Sequence, residues 1–248
     1  MFRPELIAHR GYPARHPENT LPAIEAALAA GARHIEIDVQ TTRDHVPVLF
    51  HDATLDRLCG VPGRIRDYDL AELGALRAYD PARFDARADA PVVPTLVAAA
   101  ALLEKRPDVT LYVEVKSEAL EHSGVDRTFW HCEAALAPLA GHAVFIAFDA
   151  GFLCAVRRHG WPRVGGIVEH WAQRFDGELP EAAPDILFVD LAGLPAQGAL
   201  ALPGCRLAVY EVDDPATARI LAARGVDFVE TFAFADMQRA LASRTFRH

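Results

Sequence analysis

Residues 20–40, TLPAIEAALAAGARHIEIDVQ, contain one copy of the helix–strand pattern that decides the fold. The first half predicts a helix over Leu21–Ala30, capped at its start by Asn19 or Thr20. The second half predicts a strand over His34–Gln40, because apolar residues there recur at every second position. A helix that leads directly into a strand is the repeating unit of parallel sheets, whose strands are joined by right-handed crossovers.

The same alternation recurs along the whole chain. Eight strands are predicted, at Glu5–His9, His34–Gln40 (extended by Pro47–Phe50), Thr110–Lys116, Ala143–Phe148, Arg163–Val168, Ile186–Asp190, Arg206–Val212 and Val226–Thr231. Helices are predicted at Leu21–Ala30, Leu96–Arg106, Asp126–Leu139, Ala150–His159, Pro195–Leu202, Pro215–Arg224 and Ala235–Ser243, with a more weakly patterned one at Glu169–Glu178. Eight such units close naturally into a (β/α)₈ barrel, and a doubly wound open sheet is the competing α/β architecture.

The length of 248 residues agrees with the barrel, which typically needs about 250 residues. We therefore predict a single domain over residues 1–248. One stretch, residues 52–94, breaks the alternation, since it is rich in Pro, Asp and Arg and holds only one weak helix, at Asp67–Leu76. We expect an inserted segment here, after the second strand, and loops at this end of a barrel commonly build the active site.

The composition limits the partners and the compartment. A net charge of −9 argues against broad binding of nucleic acid or of anionic membranes. No apolar run reaches the ~20 residues of a membrane span, and the N-terminus lacks the apolar stretch of a secretory signal. Four cysteines lie far apart without metal-type spacing, and we expect free, mostly buried thiols in the cytoplasm: Cys59, Cys132, Cys154 and Cys205. The sequence leaves the oligomeric state open.

Charged residues occupy one face of two predicted strands. Glu36 and Asp38 share a face, as do Glu114 and Lys116, because residues two apart on a strand point the same way. The apolar residues between them would then face the helices, and the carboxylates would converge inside the barrel. A divalent cation would relieve their repulsion, and an all-oxygen set favours Mg²⁺ or Ca²⁺. The alternative is a buried salt-bridge network of Glu114 with Lys116 and Arg10.

Two histidines lie at strand ends beside these charges. His9 and Arg10 end the first strand, and His51 ends the extension of the second. Each histidine alone is more commonly structural, but two of them at one rim can serve as an acid and a base near neutral pH. Arg10 and Lys116 supply local positive charge that could hold a phosphate group.

Short motifs spread over nearly the whole chain carry a resemblance. They are His9-Arg10-Gly11, Pro17-Glu18-Asn19-Thr20, Glu36-Ile37-Asp38-Val39, Thr42-Arg43-Asp44 leading to Pro47-Val48 and His51-Asp52, Leu55-Asp56-Arg57, Pro94-Thr95-Leu96, Glu114-Val115-Lys116, Phe148-Asp149, and Gly225-Val226-Asp227 with Thr231. In this order they resemble the glycerophosphodiester phosphodiesterase family. The resemblance implies a (β/α)₈ barrel with an insertion after the second strand, and metal-dependent hydrolysis of glycerophosphodiesters to an alcohol and sn-glycerol 3-phosphate.

The resemblance also implies roles for individual residues. Glu36, Asp38 and Glu114 would bind one divalent cation, Mg²⁺ or Ca²⁺, with Mn²⁺ as a further possibility. His9 and His51 would form the general acid–base pair, Arg10 and Lys116 would hold the phosphate, and Glu18 would lie beside the site. The nucleophile would be water or the substrate's own 2-hydroxyl, which would give a cyclic phosphate intermediate.

The sequence departs from the family pattern at several positions. Tyr210-Glu211 replaces a usual Trp-Thr pair, so that Tyr210 would pack on the small-molecule diester while Glu211 adds an anion near the rim. His45, Ala147 and Phe232 replace a usual Gly, Ser and Asp. These changes leave the predicted catalytic set whole but affect the identity of the substrate.

Two alternatives to the main prediction remain. A lysophospholipase D-like enzyme would need a longer apolar pocket. Apolar residues of the inserted segment could line such a pocket, or they could instead cover a small core of their own: Leu70, Leu73, Leu76, Tyr79 and Phe84. A non-catalytic binding scaffold on the same barrel is the alternative from a different class.

Overall fold

A computed structural model describes residues 3–84 and 90–243 and places their strands in one closed sheet. The strands are β1 (Glu5–Ala8), β2 (His34–Thr41), β3 (Pro47–Leu49), β4 (Thr110–Val115), β5 (Ala143–Ala147), β6 (Val164–Val168), β7 (Ile186–Asp190), β8 (Arg206–Tyr210) and β9 (Phe228–Thr231). All except β3 run parallel, in the order β1-β2-β4-β5-β6-β7-β8-β9. The sheet closes because β1 pairs with both β2 and β9. This confirms the (β/α)₈ barrel and excludes the open sheet.

Helices connect most of these strands. They are α1 (Leu21–Ala29), α2 (Asp56–Cys59), α3 (Leu70–Leu73), α4 (Leu96–Leu103), α5 (Ser117–Ser123), α6 (Val125–Leu136), α7 (Ala150–Arg158), α8 (Leu179–Ala182), α9 (Pro215–Ala223) and α10 (Phe234–Ala242). Short 3₁₀ turns lie at Ile65–Asp67, Ala137–Leu139, Trp171–Phe175 and Leu191–Gly193. Within the described part of the chain, none of these helices is both long enough and apolar enough to span a bilayer.

The start of α1 shows which of the two candidate residues, Asn19 and Thr20, is the N-cap. Thr20 is the N-cap, since its hydroxyl accepts a hydrogen bond from the backbone N–H of Ala23 at 3.3 Å. Asn19 has a positive φ of 55° and points instead to β2. The asparagine is therefore available to the site at the end of the strands.

Two layers of apolar side chains hold the barrel together. Ile35, Ile37 and Val39 of β2 face outward and pack, fully buried, against the helices, as predicted. Burial of each such side chain stabilises the fold by about 1.5–3 kcal/mol. A second cluster fills the barrel interior, with members that include Tyr112, Phe188 and Phe228. The cluster thus fills the interior between the carboxylates near the carboxyl ends of the strands and His34, which contacts Tyr112 and Phe228 from the other end.

The prediction that residues 47–50 extend the second strand is wrong. β3 is a separate strand that pairs antiparallel with the end of β2, at Val39–Leu49, Gln40–Val48 and Thr41–Pro47. The chain reverses between them through His45, whose φ is 62°, a conformation in which glycine is more usual. The reversal returns the chain to the barrel rim and places His51 there.

The helix predicted at Pro195–Leu202 is also wrong. Residues 194–205, all of them described, form no helix. Gly198 has a φ of 100°, and the guanidinium Nε of Arg224 donates to its carbonyl oxygen at 2.9 Å. Proline and glycine at these positions oppose helix formation. The side chain of Arg224, at the end of α9, donates to a backbone carbonyl oxygen of this segment instead.

Other helix predictions are correct in place but differ in form. The stretch Glu169–Glu178 contains a 3₁₀ turn rather than an α-helix, and Asp67–Leu76 keeps only α3 as its helical core. The sequence reading missed α5, which begins directly after Lys116 and fixes the backbone beside that residue. The remaining predicted helices are confirmed, with ends that differ from the prediction by one to three residues.

The inserted segment predicted over residues 52–94 builds a small core of its own. Leu55, Leu58, Ile65 and Leu73 are fully buried there, with Leu70 and Leu76 packed against them. Residues 85–89 of the segment lie outside the described residues. The predicted single domain over 1–248 stays a prediction.

The four cysteines are free, as predicted. Cys59 and Cys132 are buried, whereas Cys154 and Cys205 are partly exposed. Burial raises the pKa of the Cys59 thiol to about 11, so the group stays protonated at neutral pH.

Candidate active site

The carboxyl ends of the strands surround one cavity. The predicted residues His9, Arg10, Glu36, His51, Glu114, Lys116 and Tyr210 all line it. Asp38 lies directly behind this lining and is fully buried. The structure therefore brings together every residue that the sequence assigned to the site.

Three carboxylates converge at the centre of this group. Asp38 and Glu114 are direct neighbours across β2 and β4, and Glu36 precedes Asp38 by two residues on the same face. One oxygen from each of the three lies within 4.8 Å of the others. Glu36 Oε1 and Asp38 Oδ1 are buried and form no hydrogen bond with any of the described residues, which is the arrangement expected of ligands for a hard divalent cation.

Arg10 and Lys116 contact these carboxylates directly. Arg10 Nε lies 3.2 Å from Asp38 Oδ2, and Lys116 Nζ lies 3.4 Å from Asp38 Oδ1 and 2.6 Å from Glu114 Oε1. The salt-bridge network weighed as the alternative to a metal site is thus present in part, and it shares the same carboxylates. Although burial alone would raise it, Arg10 and Lys116 hold the pKa of Asp38 well below its usual range.

Glu36 has the opposite electrostatic environment. Burial, and then the neighbouring charges of Asp38 and Glu230, raise its pKa well above the ordinary value. Its Oε2 accepts a hydrogen bond from the backbone N–H of Arg10 at 3.0 Å. Glu36 and Asp38 lie on the same face of β2 but differ in proton affinity, because the side chains of Arg10 and Lys116 contact Asp38.

Asn19, the only asparagine in the chain, holds Asp38 in place. Its amide Nδ2 donates to Asp38 Oδ2 at 2.8 Å, and its Oδ1 accepts from the backbone N–H of Asp38 at 3.0 Å. This two-point contact fixes the carboxylate in one rotamer. The motif residue is therefore a positioning residue of the site rather than a helix cap.

A chain of ion pairs connects the two halves of the site. Arg10 Nη1 donates to Glu18 Oε1 at 2.8 Å, and Arg57 Nη2 donates to the same oxygen at 2.7 Å. Arg57 also holds Asp52, whose Oδ1 lies 2.8 Å from His51 Nδ1. The motif residues Glu18, Asp52 and Arg57 thus link the predicted phosphate-binding arginine to one of the predicted catalytic histidines.

His9 directly precedes Arg10 at the end of β1 and lines the same cavity. Its ring stacks on Phe232 with a centroid distance of 4.3 Å, and Nε2 lies 3.8 Å from Glu36 Oε2. Burial, and then the charge of Arg10, lower the pKa of His9 well below its usual value. Phe232, which replaces a usual aspartate, thus provides an apolar wall for the histidine.

Glu230 is a buried carboxylate of the site that the sequence analysis missed. It lies on β9, is 3% exposed, and places Oε2 3.9 Å from His9 Nε2. A signal existed in the sequence Phe228-Val229-Glu230-Thr231, where a single acidic residue interrupts an apolar strand on the interior face. Glu230 therefore adds to the site a buried carboxylate that is not part of the predicted cation set.

Tyr210 lines the cavity, whereas the apolar residues named in the inserted segment do not. Tyr210 lines it, and its hydroxyl donates to the carbonyl oxygen of Val168 at 3.3 Å. None of the apolar residues named for a longer pocket (Leu70, Leu73, Leu76, Tyr79 and Phe84) is among its lining residues. The described part of the inserted segment covers its own core instead.

Residues 9–159, more than half of the chain, match the model of the glycerophosphoryl diester phosphodiesterase family. The chain belongs to this family. The match includes each predicted site residue except Tyr210, and it confirms the resemblance found in the sequence.

Curated members of the family are similar over part of their length. The chain is 33% identical over 122 residues to a glycerophosphodiester phosphodiesterase of Bacillus altitudinis, and 35% identical over 121 residues to one of Caldanaerobacter subterraneus subsp. tengcongensis. Each alignment covers 49% of this chain and 49% of the relative. The match thus spans about half the length of these family members.

Solved structures extend the similarity over the whole barrel. A phosphodiesterase of Oleispira antarctica, solved in complex with the product sn-glycerol 3-phosphate, is 25% identical with a TM-score of 0.78, covering 97% of this chain and 98% of that one. A glycerophosphodiester phosphodiesterase of Agrobacterium tumefaciens is 23% identical with a TM-score of 0.73, covering 94% and 98%. At 23% identity, the similarity to the Agrobacterium tumefaciens protein shows a shared fold and nothing more.

Proposed function

We propose that the protein hydrolyses glycerophosphodiesters to an alcohol and sn-glycerol 3-phosphate, with one divalent cation bound by Glu36, Asp38 and Glu114. The observation that carries the proposal is the convergence of these carboxylates with two histidines and with the basic side chains of Arg10 and Lys116 at one cavity. A family neighbour of known structure has sn-glycerol 3-phosphate bound, which supports the same product here.

The residues of the chain divide the work of this reaction. Arg10 and Lys116 bind the phosphate oxygens and offset their negative charge. One of His9 and His51 removes a proton from the nucleophile, and the other protonates the leaving alkoxide. When bound, Mg²⁺, Ca²⁺ or Mn²⁺ would add positive charge among the carboxylates and polarise the phosphoryl group.

The environment of each histidine agrees with proton transfer. Asp52 contacts Nδ1 of His51 and leaves the other ring nitrogen free for the substrate. The stacked Phe232 keeps His9 in one orientation beside Glu36. The small-molecule substrate and the predicted cytoplasmic location belong to the same proposal, as does the absence of nucleic-acid binding expected from the net charge.

The test is a panel of diesters assayed after EDTA treatment and again after Mg²⁺, Ca²⁺ or Mn²⁺ is added back, with glycerol 3-phosphate measured by a coupled dehydrogenase. We expect release from glycerophosphocholine or glycerophosphoethanolamine that chelation abolishes and that Asp38→Asn reduces by at least ~100-fold. Glu25→Gln, which changes an exposed carboxylate on α1, is the matched control.

Each other outcome contradicts the proposal in a distinct way. Activity that survives chelation would remove the three-carboxylate cation site. Activity on lysophospholipids alone would favour a lysophospholipase D-like enzyme, and no activity on any diester would favour a binding scaffold.

A further inference from the structure

Beside the three predicted cation ligands lie two further groups of side chains of metal-binding type. In each group, one nitrogen or oxygen atom from every member lies within 4.8 Å of the others. Proximity alone does not make a metal site, because acidic side chains also cluster around basic ones. The partners that each group already has must therefore be compared. The two groups are His9, Glu36 and Glu230, and Glu18, His51 and Asp52.

The group that contains His51 already has cationic partners. Arg57 donates to both oxygens of Glu18 and to both oxygens of Asp52. Arg10 donates to Glu18 as well. A metal ion here would have to displace guanidinium groups from both carboxylates, so this group is an ion-pair network.

The group that contains His9 has no such partners. Glu36 and Glu230 are 1% and 3% exposed, and the Oε1 atom of each forms no hydrogen bond with any described residue. Within the described part of the chain, both carboxylates lie at ion-pair distance from His9, whereas no lysine or arginine side chain pairs with either of them. Buried carboxylate oxygens in this situation need a proton or a cation to neutralise them.

The distances within this group suit a shared ion. His9 Nε2 lies 3.8 Å from Glu36 Oε2 and 3.9 Å from Glu230 Oε2, which is too far for hydrogen bonds. Two ligand atoms at ~2.1 Å from one zinc ion lie roughly 3.4–3.9 Å apart when the bond angle is about 110–135°. The stacked ring of Phe232 holds the imidazole in the orientation that this spacing requires.

The two cation sites differ in the chemistry of their ligands. Glu36, Asp38 and Glu114 offer oxygen alone, which suits hard ions such as Mg²⁺ and Ca²⁺. His9 adds an imidazole nitrogen to two carboxylates, which suits Zn²⁺. Glu36 belongs to both groups, so the two sites are direct neighbours.

We propose that His9, Glu36 and Glu230 form a second metal site, selective for Zn²⁺ over Mg²⁺ and Ca²⁺, and that zinc bound there inhibits the enzyme. The site stands on the contacts described above, whereas the inhibition rests on the proposed function. Zinc on Nε2 engages the lone pair with which His9 would accept a proton, so one member of the acid–base pair is blocked.

The position of the ion can be tested without any measurement of activity. Crystals of the wild-type protein grown with both Mg²⁺ and Zn²⁺ would be measured at the zinc absorption edge, where anomalous scattering locates zinc alone. We expect a peak within about 2.3 Å of His9 Nε2 and of one oxygen of Glu230. No zinc peak at His9 would overturn the site.

The effect on the rate is measured with saturating Mg²⁺ and increasing Zn²⁺, and each protein is compared with its own rate in the absence of zinc. Reactions are stopped with EDTA before glycerol 3-phosphate is assayed, so that zinc does not reach the coupling enzyme. A large excess of Mg²⁺ should not relieve the inhibition of the wild type, because Mg²⁺ does not compete for the nitrogen ligand.

Glu230→Gln and Glu211→Gln form a matched pair for this assay. Glu230→Gln removes a ligand and should raise the zinc concentration for half-inhibition by at least ~10-fold. Glu211→Gln removes a carboxylate that lines the same cavity but lies outside the group, and it should change that concentration by less than about threefold.

The outcomes distinguish this inference from the function beside it. Inhibition that excess Mg²⁺ relieves, or that Glu230→Gln leaves unchanged, would show that zinc acts at the three predicted cation ligands and would overturn the inhibitory site. A zinc peak at His9 without inhibition would overturn the inhibitory role and support the metal site. Failure to hydrolyse any diester even without zinc would overturn the proposed function, and the anomalous peak would still decide the zinc site.

Discussion

Asp52 Oδ1 lies 2.8 Å from His51 Nδ1, at the rim of the cavity and one residue along the chain. The pKa of Asp52 lies well below its usual range, so the group is an ionised carboxylate that can only accept hydrogen bonds. The Nδ1 atom of His51, which faces it, must therefore carry the proton. Nε2 is then the nitrogen free to exchange a proton with a substrate. Arg57 holds Asp52 from the opposite side, with Nε donating to Oδ2 at 2.6 Å.

We predict that Asp52→Asn lowers kcat by about 100-fold or more, because an amide can present its NH₂ group to Nδ1 and favour the wrong tautomer of His51. The change should affect KM much less than kcat, since Asp52 does not contact the phosphate in the proposed arrangement. Steady-state kinetics on a diester that the wild type hydrolyses would measure both values.

Asp56→Asn is the matched control for this change. Asp56 is an exposed carboxylate of the same segment, at the start of α2. A kcat for Asp52→Asn within a few-fold of that for Asp56→Asn would mean that His51 does not depend on its neighbour.

The pair Asn19 and Asp38 leads to a prediction about cation affinity. Asn19→Ala removes both hydrogen bonds of the pair and lets the Asp38 carboxylate rotate away from Glu36 and Glu114. We expect the affinity for Mn²⁺ to fall by about 10-fold to 100-fold, as measured by titration calorimetry. The buried N–H of Asp38 also loses its acceptor, which should cost about 1–3 kcal/mol of stability.

The neighbouring Thr20→Ala separates these two effects. It removes the N-cap of α1 and should lower the free energy of unfolding by about 0.5–2 kcal/mol. Its cation affinity should stay at the wild-type value. An equal loss of affinity in both variants would show that Asn19 acts through general stability and not through Asp38.

Much of the site could be predicted because alternation along a strand is a local property. Glu36 and Asp38 stand two apart, and so do Glu114 and Lys116, so their shared faces follow from the period of an extended chain. The parallel register that puts Asp38 beside Glu114 could be expected only once a barrel was assumed. These four residues are therefore predictable from pattern and topology together.

Other features depend on contacts between distant segments, which no local pattern contains. Glu230 is a lone charge on a short strand, and only the closure of β9 onto β1 brings it to His9. The ion pairs of Arg57 with Glu18 and Asp52 join residues up to 39 positions apart. The wrong helix at Pro195–Leu202 has the same origin, because the side chain of Arg224 stabilises the irregular backbone there.

Gly11 allows the loop after β1 to lie close to the backbone of α1. Its φ is 84°, and a Cβ at this position would lie 2.8 Å from the carbonyl carbon of Ala23 in α1. Gly11→Ala should therefore lower the free energy of unfolding by about 3 kcal/mol or more, from the strained φ and the clash together. Urea-induced unfolding followed by circular dichroism would measure the loss.

Gly160→Ala isolates the backbone part of this effect. Gly160 has a similar φ of 86°, but a Cβ there would meet nothing within 4 Å. We expect it to cost only about 1–2 kcal/mol. Similar losses in the two variants would mean that α1 moves freely to admit the extra methyl group.

Cation binding should release protons and weaken as the pH falls. Burial raises the pKa of both Glu36 and Glu230 well above the ordinary 4.5. The charge of a neighbouring carboxylate raises each pKa further, that of Asp38 for Glu36 and that of Glu114 for Glu230. In the cation-free protein these groups keep protons that an ordinary carboxyl would have lost, and a cation can bind only the deprotonated oxygen of Glu36. Calorimetry with Mn²⁺ in two buffers of different ionisation enthalpy would count the protons released, and no release between about pH 5 and pH 8 would contradict the raised pKa values.

The same raised pKa values fix the sign of an effect on stability. The folded state binds protons on Glu36 and Glu230 that the unfolded chain gives up above its ordinary carboxyl pKa. Their contribution to stability is therefore fully present below about pH 4.5 and declines as the pH rises through the folded-state pKa values. We expect saturating Mn²⁺ to raise the melting temperature more at pH 8 than at pH 5, whereas Glu36→Gln, which removes both the titration and a ligand, should show a much smaller increase at either pH.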